Sequence, residues 1–240
     1  MIPVRLRFTK NGKVRFTSHR DIARIWERSL RVAHVPMVYS EGFSPRPRIA
    51  FGLALPTGYE SDGEYIDIQL DDAGELRFSV DELPRMLTDA MPEGIEVTGV
   101  GVLEPRTPSL QQAVTSCVWD ITVKQTIEQL NEWTERVLST PQIVVSRERK
   151  GKTVTDDLRP FIRSMQVVGP EQADGRPVLR AELGTQPRSL RPSELLTAVE
   201  PALDERTVRR RIQWIEQDGA RLEPLEVGAA PAPHTSRCAS

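Results

Sequence analysis

The order of apolar patterns along the chain constrains its fold more than any other feature, because the same order occurs twice. In the first half, strand patterns alternate with helical patterns at about 18–33 and 80–90, and the strands are predicted at 4–8, 35–39, 49–55, 64–70 and 95–102. In the second half, helices are predicted at 127–138 and 192–199, with strands at 117–123, 143–147, 164–168, 178–183 and 207–214. Each half can be written β-α-β-β-α-β, the order of a ferredoxin-like unit, when one of the three predicted strands between its helices is left out.

We therefore predict an α+β fold of tandem ferredoxin-like repeats, each an antiparallel sheet with two helices on one face. The first unit is predicted to span residues 1–107 and the second residues 108–227. Residues 228–240 (GAAPAPHTSRCAS) have the composition of a disordered tail. Within the first unit, the Asn11-Gly12 turn signal predicts that residues 14–16 pair back as a short hairpin arm.

The composition of the 240 residues narrows the class of protein. Hydrophobic residues make up 38% and charged residues 28%, as in ordinary globular proteins. No apolar run approaches the length of a membrane span, and the N-terminal MIPVRLRFTK lacks the apolar core of a signal peptide, so a cytoplasmic location is expected. Two cysteines and three scattered histidines predict neither a disulfide framework, an iron–sulfur cluster nor a zinc site, and no phosphate-binding glycine motif is present.

The net charge of −2 conceals a strong asymmetry between neighbouring segments. Residues 1–52 carry eleven Lys and Arg against three Asp and Glu, a net charge of +8, whereas residues 53–110 carry three against thirteen, a net charge of −10. The basic segment either pairs with the acidic one in the folded chain or presents a basic face to an anionic partner.

The predicted helix after Ser18 carries four arginines on one side. At 100° per residue, Arg20, Arg24, Arg28 and Arg31 lie within about 80° of one another, and the apolar residues lie on the other side. Arginines at this spacing contact successive phosphates or carboxylates of a partner. The alternative is a solvated helix face whose arginines meet the acidic residues of segment 60–104.

The stretch Thr17 to Asp21 contains Ser, His and Asp, yet adjacent side chains at the start of a helix do not converge as a catalytic triad does. Ser18 and Asp21 are better explained as capping residues. His19 lies beside Arg15 and Arg20, where a neutral imidazole that forms hydrogen bonds is plausible, and it is the candidate for general acid or base chemistry.

The loop YSEGFSPRPR at residues 39–48 combines stiffening prolines with arginines and aromatic side chains. Gly42 permits a positive φ, so that Arg46 and Arg48 are presented from a rigid loop. Tyr39 or Phe43 is then available to stack on a base, as in the recognition of single-stranded RNA. The alternative is a structural turn in which Phe43 fills the core.

Three motifs carry a resemblance to a known family. They are R-F-T-K-N-G-K-V-R-F-T-S-H-R-D at 7–21, Y-S-E-G-F-S-P-R-P at 39–47 and G-Y-E-S-D-G-E-Y at 58–65. The chain resembles the radical SAM-linked proteins, an uncharacterised bacterial family whose members occur beside a radical SAM protein or are fused to it. In that family the position of Arg20 is often leucine and that of Arg46 often histidine, so both departures add positive charge here.

The resemblance implies a radical SAM partner that carries the iron–sulfur cluster and S-adenosylmethionine, with no cofactor on this chain. The leading hypothesis is an accessory protein that binds RNA for modification by that partner. The alternatives are an RNA-processing or hydrolytic enzyme that uses His19, and a non-catalytic module that docks on an acidic protein surface. In each case the expected contacts come from what we call the candidate surface: Arg15, His19, Arg20, Arg24, Arg28, Arg31, Tyr39, Gly42, Phe43, Arg46 and Arg48.

Overall fold

The structure, a computed structural model, describes residues 1–74, 76–149, 151–169 and 175–228. The chain forms two compact units from interleaved segments. The first unit contains residues 1–54, residues 64–113 and the segment that starts at Leu222, and the second contains residues 55–63 and 114–221. Strand pairing in both units is mostly antiparallel, and helices occur in both. The α+β class predicted from the sequence is therefore confirmed.

Among the described residues, the first unit contains four strands and two principal helices, followed by a single helical turn. In chain order they are β1 (Ile2–Lys10), α1 (His19–Val32), β2 (Ile49–Phe51), β3 (Glu60–Leu70), α2 (Leu83–Ala90), β4 (Val97–Val102) and α3 (Leu110–Ala113). The first four residues of β3 belong to the second unit. The strands of the first unit lie in the order β4-β1-β3-β2, and the β1–β4 and β2–β3 pairs are antiparallel.

The core of the first unit lies between this sheet and its helices. Leu6 of β1 and Trp26 of α1 are completely buried, and the Trp26 ring meets the Phe8 ring edge to face, with 5.0 Å between centroids. Burial of large aromatic side chains contributes strongly to the stability of a core. Leu83 and Leu87 of α2 complete the same cluster. The amphipathic pattern of α1 thus positions one face of the helix against the sheet.

Three predictions for the first unit are wrong in detail. Residues 14–16 do not pair as a hairpin arm, because Gly12–Phe16 forms a 3-10 helix in which Val14 is buried. Residues 35–39 form isolated bridges at Met37 and Tyr39 and not a continuous strand. Pro36 lacks an N–H to donate, so a regular ladder is interrupted next to it. The strand predicted at 49–55 is confined to β2.

The segment that follows Leu222 was not foreseen as part of the first unit. Its Pro224 carbonyl oxygen accepts a hydrogen bond from Nη1 of the buried Arg5, at 3.1 Å. Leu225 lies against β4 at Gly99, where an added Cβ would come within 2.7 Å of the Leu225 Cδ1 atom. A larger residue at this position would require the end of the Leu225 side chain to shift, so the closing segment packs closely on the strand.

The second unit follows the same alternation of strands and helices. Its elements are β5 (Val114–Val123), α4 (Ile127–Ser139), β6 (Val144–Arg149), β7 (Lys152–Asp157), β8 (Ile162–Val168), β9 (Val178–Gly184), α5 (Pro192–Ala198), β10 (Glu205–Gln217) and β11 (Ala220–Leu222). The main sheet has the order β10-β5-β9-β8 with antiparallel pairing throughout, and β11 pairs with β10. The residues of β3 that belong to this unit, Glu60 and Ser61, pair in parallel with β10.

The local sequence of the second unit explains its helices. Thr126 and Gln129 form a reciprocal capping box that starts α4, with hydrogen bonds of 3.0 and 3.3 Å. Trp133 of α4 is buried, and its indole N–H donates to the Val199 carbonyl oxygen at 3.1 Å. The strand predicted at 143–147 is β6, and it pairs with β7 in a separate two-stranded antiparallel sheet.

The sequence also predicts a turn at residues 150–152 and a turn-rich segment at 169–177. Lys150, most of the turn-rich segment and residues 229–240 of the predicted tail lie outside the residues that the structure describes. Gly228 is described, and its carbonyl oxygen accepts the Glu104 N–H at 2.7 Å. Within the described ranges, no helix combines the length and the apolar character that crossing a bilayer requires.

Candidate nucleic-acid interface

Helix α1 begins as its sequence predicts. The Ser18 side chain accepts the backbone N–H of Asp21 at 3.3 Å, and the Ser18 hydroxyl donates to the Asp21 carboxylate at 2.7 Å. This hydrogen bond and the charge of nearby Arg24 lower the pKa of the Asp21 carboxyl below its usual value. An ionised carboxylate in the first turn is also favoured by the helix dipole. The capping roles predicted for Ser18 and Asp21 are confirmed.

The four arginines of α1 are all exposed, on the side opposite to the buried Ile22, Trp26 and Leu30. Arg24 forms an ion pair with Asp21 one turn earlier, with Nη1 and Oδ1 3.0 Å apart. Among the described residues, none of the four forms an ion pair with the acidic segment 60–104. The predicted stripe is therefore present, and the alternative in which it is neutralised by that segment is not observed there.

His19 occupies the first position of α1 and is exposed. Its ring meets the ring of Phe51 edge to face, with centroids 5.0 Å apart. Because the Ser18 hydroxyl donates to Asp21, Ser18, His19 and Asp21 do not form a relay from nucleophile to base to carboxylate. The contact with Phe51 instead connects the start of α1 to β2, the strand that leaves the 39–48 loop.

The 39–48 loop is closed by its own hydrogen bonds. The Ser40 N–H donates to the Arg46 carbonyl oxygen and the Arg48 N–H to the Val38 carbonyl oxygen, both at 2.9 Å. The Arg46 N–H also donates to the Ser40 hydroxyl oxygen at 3.1 Å. Gly42 has a φ of +128°, a conformation that side chains rarely adopt. The loop is thus a defined turn, as its sequence predicts.

The loop presents its aromatic and basic side chains to solvent. Phe43 is fully exposed, with a relative accessibility of 111%, and Tyr39 is 49% exposed. The alternative in which Phe43 fills the core is therefore wrong. Arg46 and Arg48 are exposed as well, and Nη1 of Arg48 lies 3.3 Å from the Gln69 side-chain oxygen. An exposed phenylalanine beside arginines is typical of surfaces on which a base stacks.

Arg15 extends the basic character to the segment before α1. It lies in the 3-10 helix, and its guanidinium carbon is 4.7 Å from the centroid of the Phe16 ring. Phe16 is itself 63% exposed, and sequence reasoning did not select it. The sequence signal that could have identified Phe16 was its position between Arg15 and His19 in a basic motif. Phe16 thus adds a third exposed aromatic ring, beside those of Tyr39 and Phe43, near residues of the candidate surface.

Sequence reasoning also missed an ion-pair cluster in the second unit. Asp120 accepts two hydrogen bonds of 2.7 Å from Arg180, and Glu60 accepts one of 2.7 Å from Arg209. Arg211 pairs with Asp62 at 3.0 Å, and the cluster borders a cavity of about 310 Å³. Burial lowers the pKa of the Arg209 guanidinium, but the surrounding carboxylates raise it by more, so the pKa lies above its usual value. The three arginines and three carboxylates balance, so this cluster presents no net charge to a ligand.

A metal centre finds no support within the described ranges, where no group of three or more His, Cys, Asp or Glu side chains is placed to hold an ion.

The fold and the candidate surface define a class: an α+β protein with mostly antiparallel sheets and an exposed, arginine-rich surface in its first unit. Residues 4–192 match the family described as "Uncharacterized protein conserved in bacteria (DUF2344)", and the chain belongs to this family. That description mentions no reaction and no partner. None of the curated proteins matches the chain.

Proposed function

We propose that the first unit binds single-stranded RNA through the candidate surface. The observation that carries this proposal is the complete exposure of Phe43 on a closed loop that also presents Arg46 and Arg48. Leaving a large aromatic side chain in water forgoes the free energy of its burial, so a partner that covers it gains that free energy. A nucleobase covers such a ring by stacking, and the neighbouring arginines contact the phosphates.

The spacing of the arginines on α1 supports an extended anionic partner. Arg20, Arg24 and Arg28 recur every four residues, which is about 6 Å along the helix axis. Guanidinium groups in such a row contact several phosphates of one strand, and these contacts supply affinity without selecting a sequence. An unpaired strand fits better than a duplex, because stacking on Phe43 requires a base that is free of its own stack.

The role of this binding follows from the resemblance to the radical SAM-linked proteins. We infer that the chain is a cytoplasmic accessory protein that presents RNA to a radical SAM enzyme for modification. The enzyme would contribute the iron–sulfur cluster and S-adenosylmethionine. Co-purification of such an enzyme from the native cell after nuclease treatment would support a direct partnership. Loss of the enzyme on nuclease treatment would mean that RNA alone bridges the two proteins.

We also infer that the two units are tandem ferredoxin-like repeats. The sheet orders β4-β1-β3-β2 and β10-β5-β9-β8 support this inference, because each corresponds to the strand order 4-1-3-2 around two crossover helices. In the second unit the β6–β7 hairpin is then an insertion between α4 and β8. A crystal structure in which either unit has a different strand order would overturn the inference.

The dependence of RNA affinity on salt tests the proposed function. Titration of a fluorescently labelled, unstructured RNA should give a Kd that weakens steeply as salt increases, because bound phosphates release counterions. A duplex of the same sequence should bind less tightly. Absence of binding at about 50 mM salt, or an affinity that does not change with salt, would refute the proposal.

A further inference from the structure

The first unit contains a cavity that shares no residue with the candidate surface. It is a cavity of about 720 Å³, open to solvent on one side, between the end of α1 and the start of α2. This volume lies within the range of about 300 to 1,000 Å³ that is typical of small-molecule sites. Its walls combine apolar residues with a few charged ones, and they are Ala33, His34, Pro36, Leu76, Arg77, Phe78, Glu82, Arg85 and Met86.

The apolar part of the cavity continues the core of the unit. Leu76 and Phe78 are partly buried and pack against the core cluster, and Met86 is half-buried on α2. A flexible thioether adapts to ligands of different shape. These side chains form an apolar wall that a flat or branched hydrocarbon body would cover, and covering it removes apolar surface from water.

The charged part of the cavity is cationic. Arg77 and Arg85 are exposed, and neither forms an ion pair or a side-chain hydrogen bond among the residues that the structure describes. The opposite charge in the wall, Glu82, is already engaged, since its Oε2 atom accepts the Ser79 backbone N–H at 2.9 Å. Among the described residues that line the cavity, the two guanidinium groups therefore outnumber the single carboxylate.

We propose that this cavity binds a small amphiphilic organic anion. Its carboxylate lies between Arg77 and Arg85, and its apolar body covers Leu76, Phe78 and Met86. The guanidinium fork matches a carboxylate in two parallel hydrogen bonds, which are stronger than neutral ones. An inorganic anion would leave the apolar wall in water, and a neutral hydrocarbon would leave the arginines without a partner. The apolar wall and the two arginines together therefore favour a ligand that has both an apolar body and a carboxylate.

Naphthalenecarboxylate and its neutral counterpart, naphthalenecarboxamide, test this proposal by calorimetric titration. The carboxylate should bind about tenfold more tightly than the amide, because charged hydrogen bonds contribute more than neutral ones. Inorganic phosphate should bind more weakly than the carboxylate. Equal affinities for carboxylate and amide, or phosphate binding as tight as that of the carboxylate, would overturn the assignment.

Three variants test whether the carboxylate binds in this cavity. In the double variant R77Q/R85Q the preference for the carboxylate should disappear, and both positions are exposed, so the fold should persist. Met86→Trp should fill the cavity and weaken both ligands. The matched control R191Q/R206Q removes two exposed arginines of the second unit and should bind the carboxylate like the wild type. A preference for the carboxylate that survives in R77Q/R85Q would place the site elsewhere and refute the proposal, whatever Met86→Trp does.

Discussion

Arg5 shows how a single residue stabilises the first unit. Its side chain is completely buried in β1, and it donates two hydrogen bonds to Asp67 of β3, at 2.7 and 2.9 Å. A third goes to the Pro224 carbonyl oxygen, so the guanidinium also fixes the closing segment of the unit. A buried charge is tolerated only with such compensation, because its desolvation is costly.

Arg5→Gln should therefore destabilise the protein strongly. The variant removes the ion pair and leaves Asp67 without its partner, so the free energy of unfolding should fall by about 3 kcal/mol or more. Urea denaturation measures this change. The control Arg206→Gln alters an exposed arginine and should change the free energy of unfolding by less than about 0.5 kcal/mol. Equal stability of the two variants would contradict this role for Arg5.

The Tyr65 phenol is a single group that makes the stability of the folded chain depend on pH. Burial and the charge of Glu223, whose Oε2 atom lies 3.2 Å from the phenol oxygen, raise the pKa of the Tyr65 phenol above its usual value of about 10. Above about pH 10, the Tyr65 phenol therefore stays protonated in the folded chain and loses its proton in the unfolded chain. The resulting stability is fully present below about pH 10 and is lost as the pH rises further, towards the pKa of the folded state.

Urea denaturation between about pH 8 and pH 11 measures this effect. The free energy of unfolding of the wild type should fall above about pH 10, and Tyr65→Phe should show a shallower fall. The remaining slope is expected from Tyr59 in the second unit, where burial and Glu205 raise the pKa of the phenol in the same way. An identical slope in the wild type and Tyr65→Phe would show that Tyr65 does not contribute.

At the scale of single elements, α1 was predictable from the sequence because two independent patterns agree. A capping serine starts the helix, and the 3.6-residue period separates its apolar and arginine faces. The segments on either side were less predictable. V-R-F at 14–16 alternates like a strand, yet the chain turns into a 3-10 helix there. Residues 35–39 have strand composition, and Pro36 limits the pairing that is formed.

The 39–48 loop is the element whose exposure could not be predicted. Its sequence allows Phe43 to lie inside or outside, since the choice depends on how hydrogen bonds close the loop. In the structure, the bonds of Ser40 and Arg48 close the loop while Phe43 remains in solvent. These bonds join backbone groups, and the side-chain pattern of the sequence does not encode them.

Phe43→Ala should weaken binding of unstructured RNA by about tenfold, because one base no longer has a ring on which to stack. Phe43→Tyr retains an aromatic ring and should bind like the wild type. Neither variant should alter the melting temperature appreciably, since the side chain is exposed. If Phe43→Ala and Phe43→Tyr bind RNA with equal affinity, the loop does not act as a stacking platform.

At the scale of the whole molecule, the α+β class and the mostly antiparallel pairing follow from the order of patterns along the chain. The interleaving of segments between the two units does not follow from that order, because it depends on contacts between residues far apart in sequence. Glu60 pairs with Arg209 and Arg5 with Pro224, and no local period reveals such pairs. An enzyme that uses His19 and a module that docks on an acidic protein are the two alternative predictions to RNA binding.

The most direct test of RNA binding by the first unit compares two double variants with equal changes in charge. R24Q/R28Q removes two arginines of the candidate surface, whereas the control R191Q/R206Q removes two exposed arginines of the second unit. The quantity measured is the Kd for unstructured RNA across a series of salt concentrations. We predict that R24Q/R28Q binds more weakly and that the slope of log K against log salt decreases by about 1.4, or about 0.7 for each phosphate that an arginine no longer neutralises. R191Q/R206Q should retain the wild-type slope. Equal slopes for R24Q/R28Q and the wild type would contradict the claim that α1 contacts RNA.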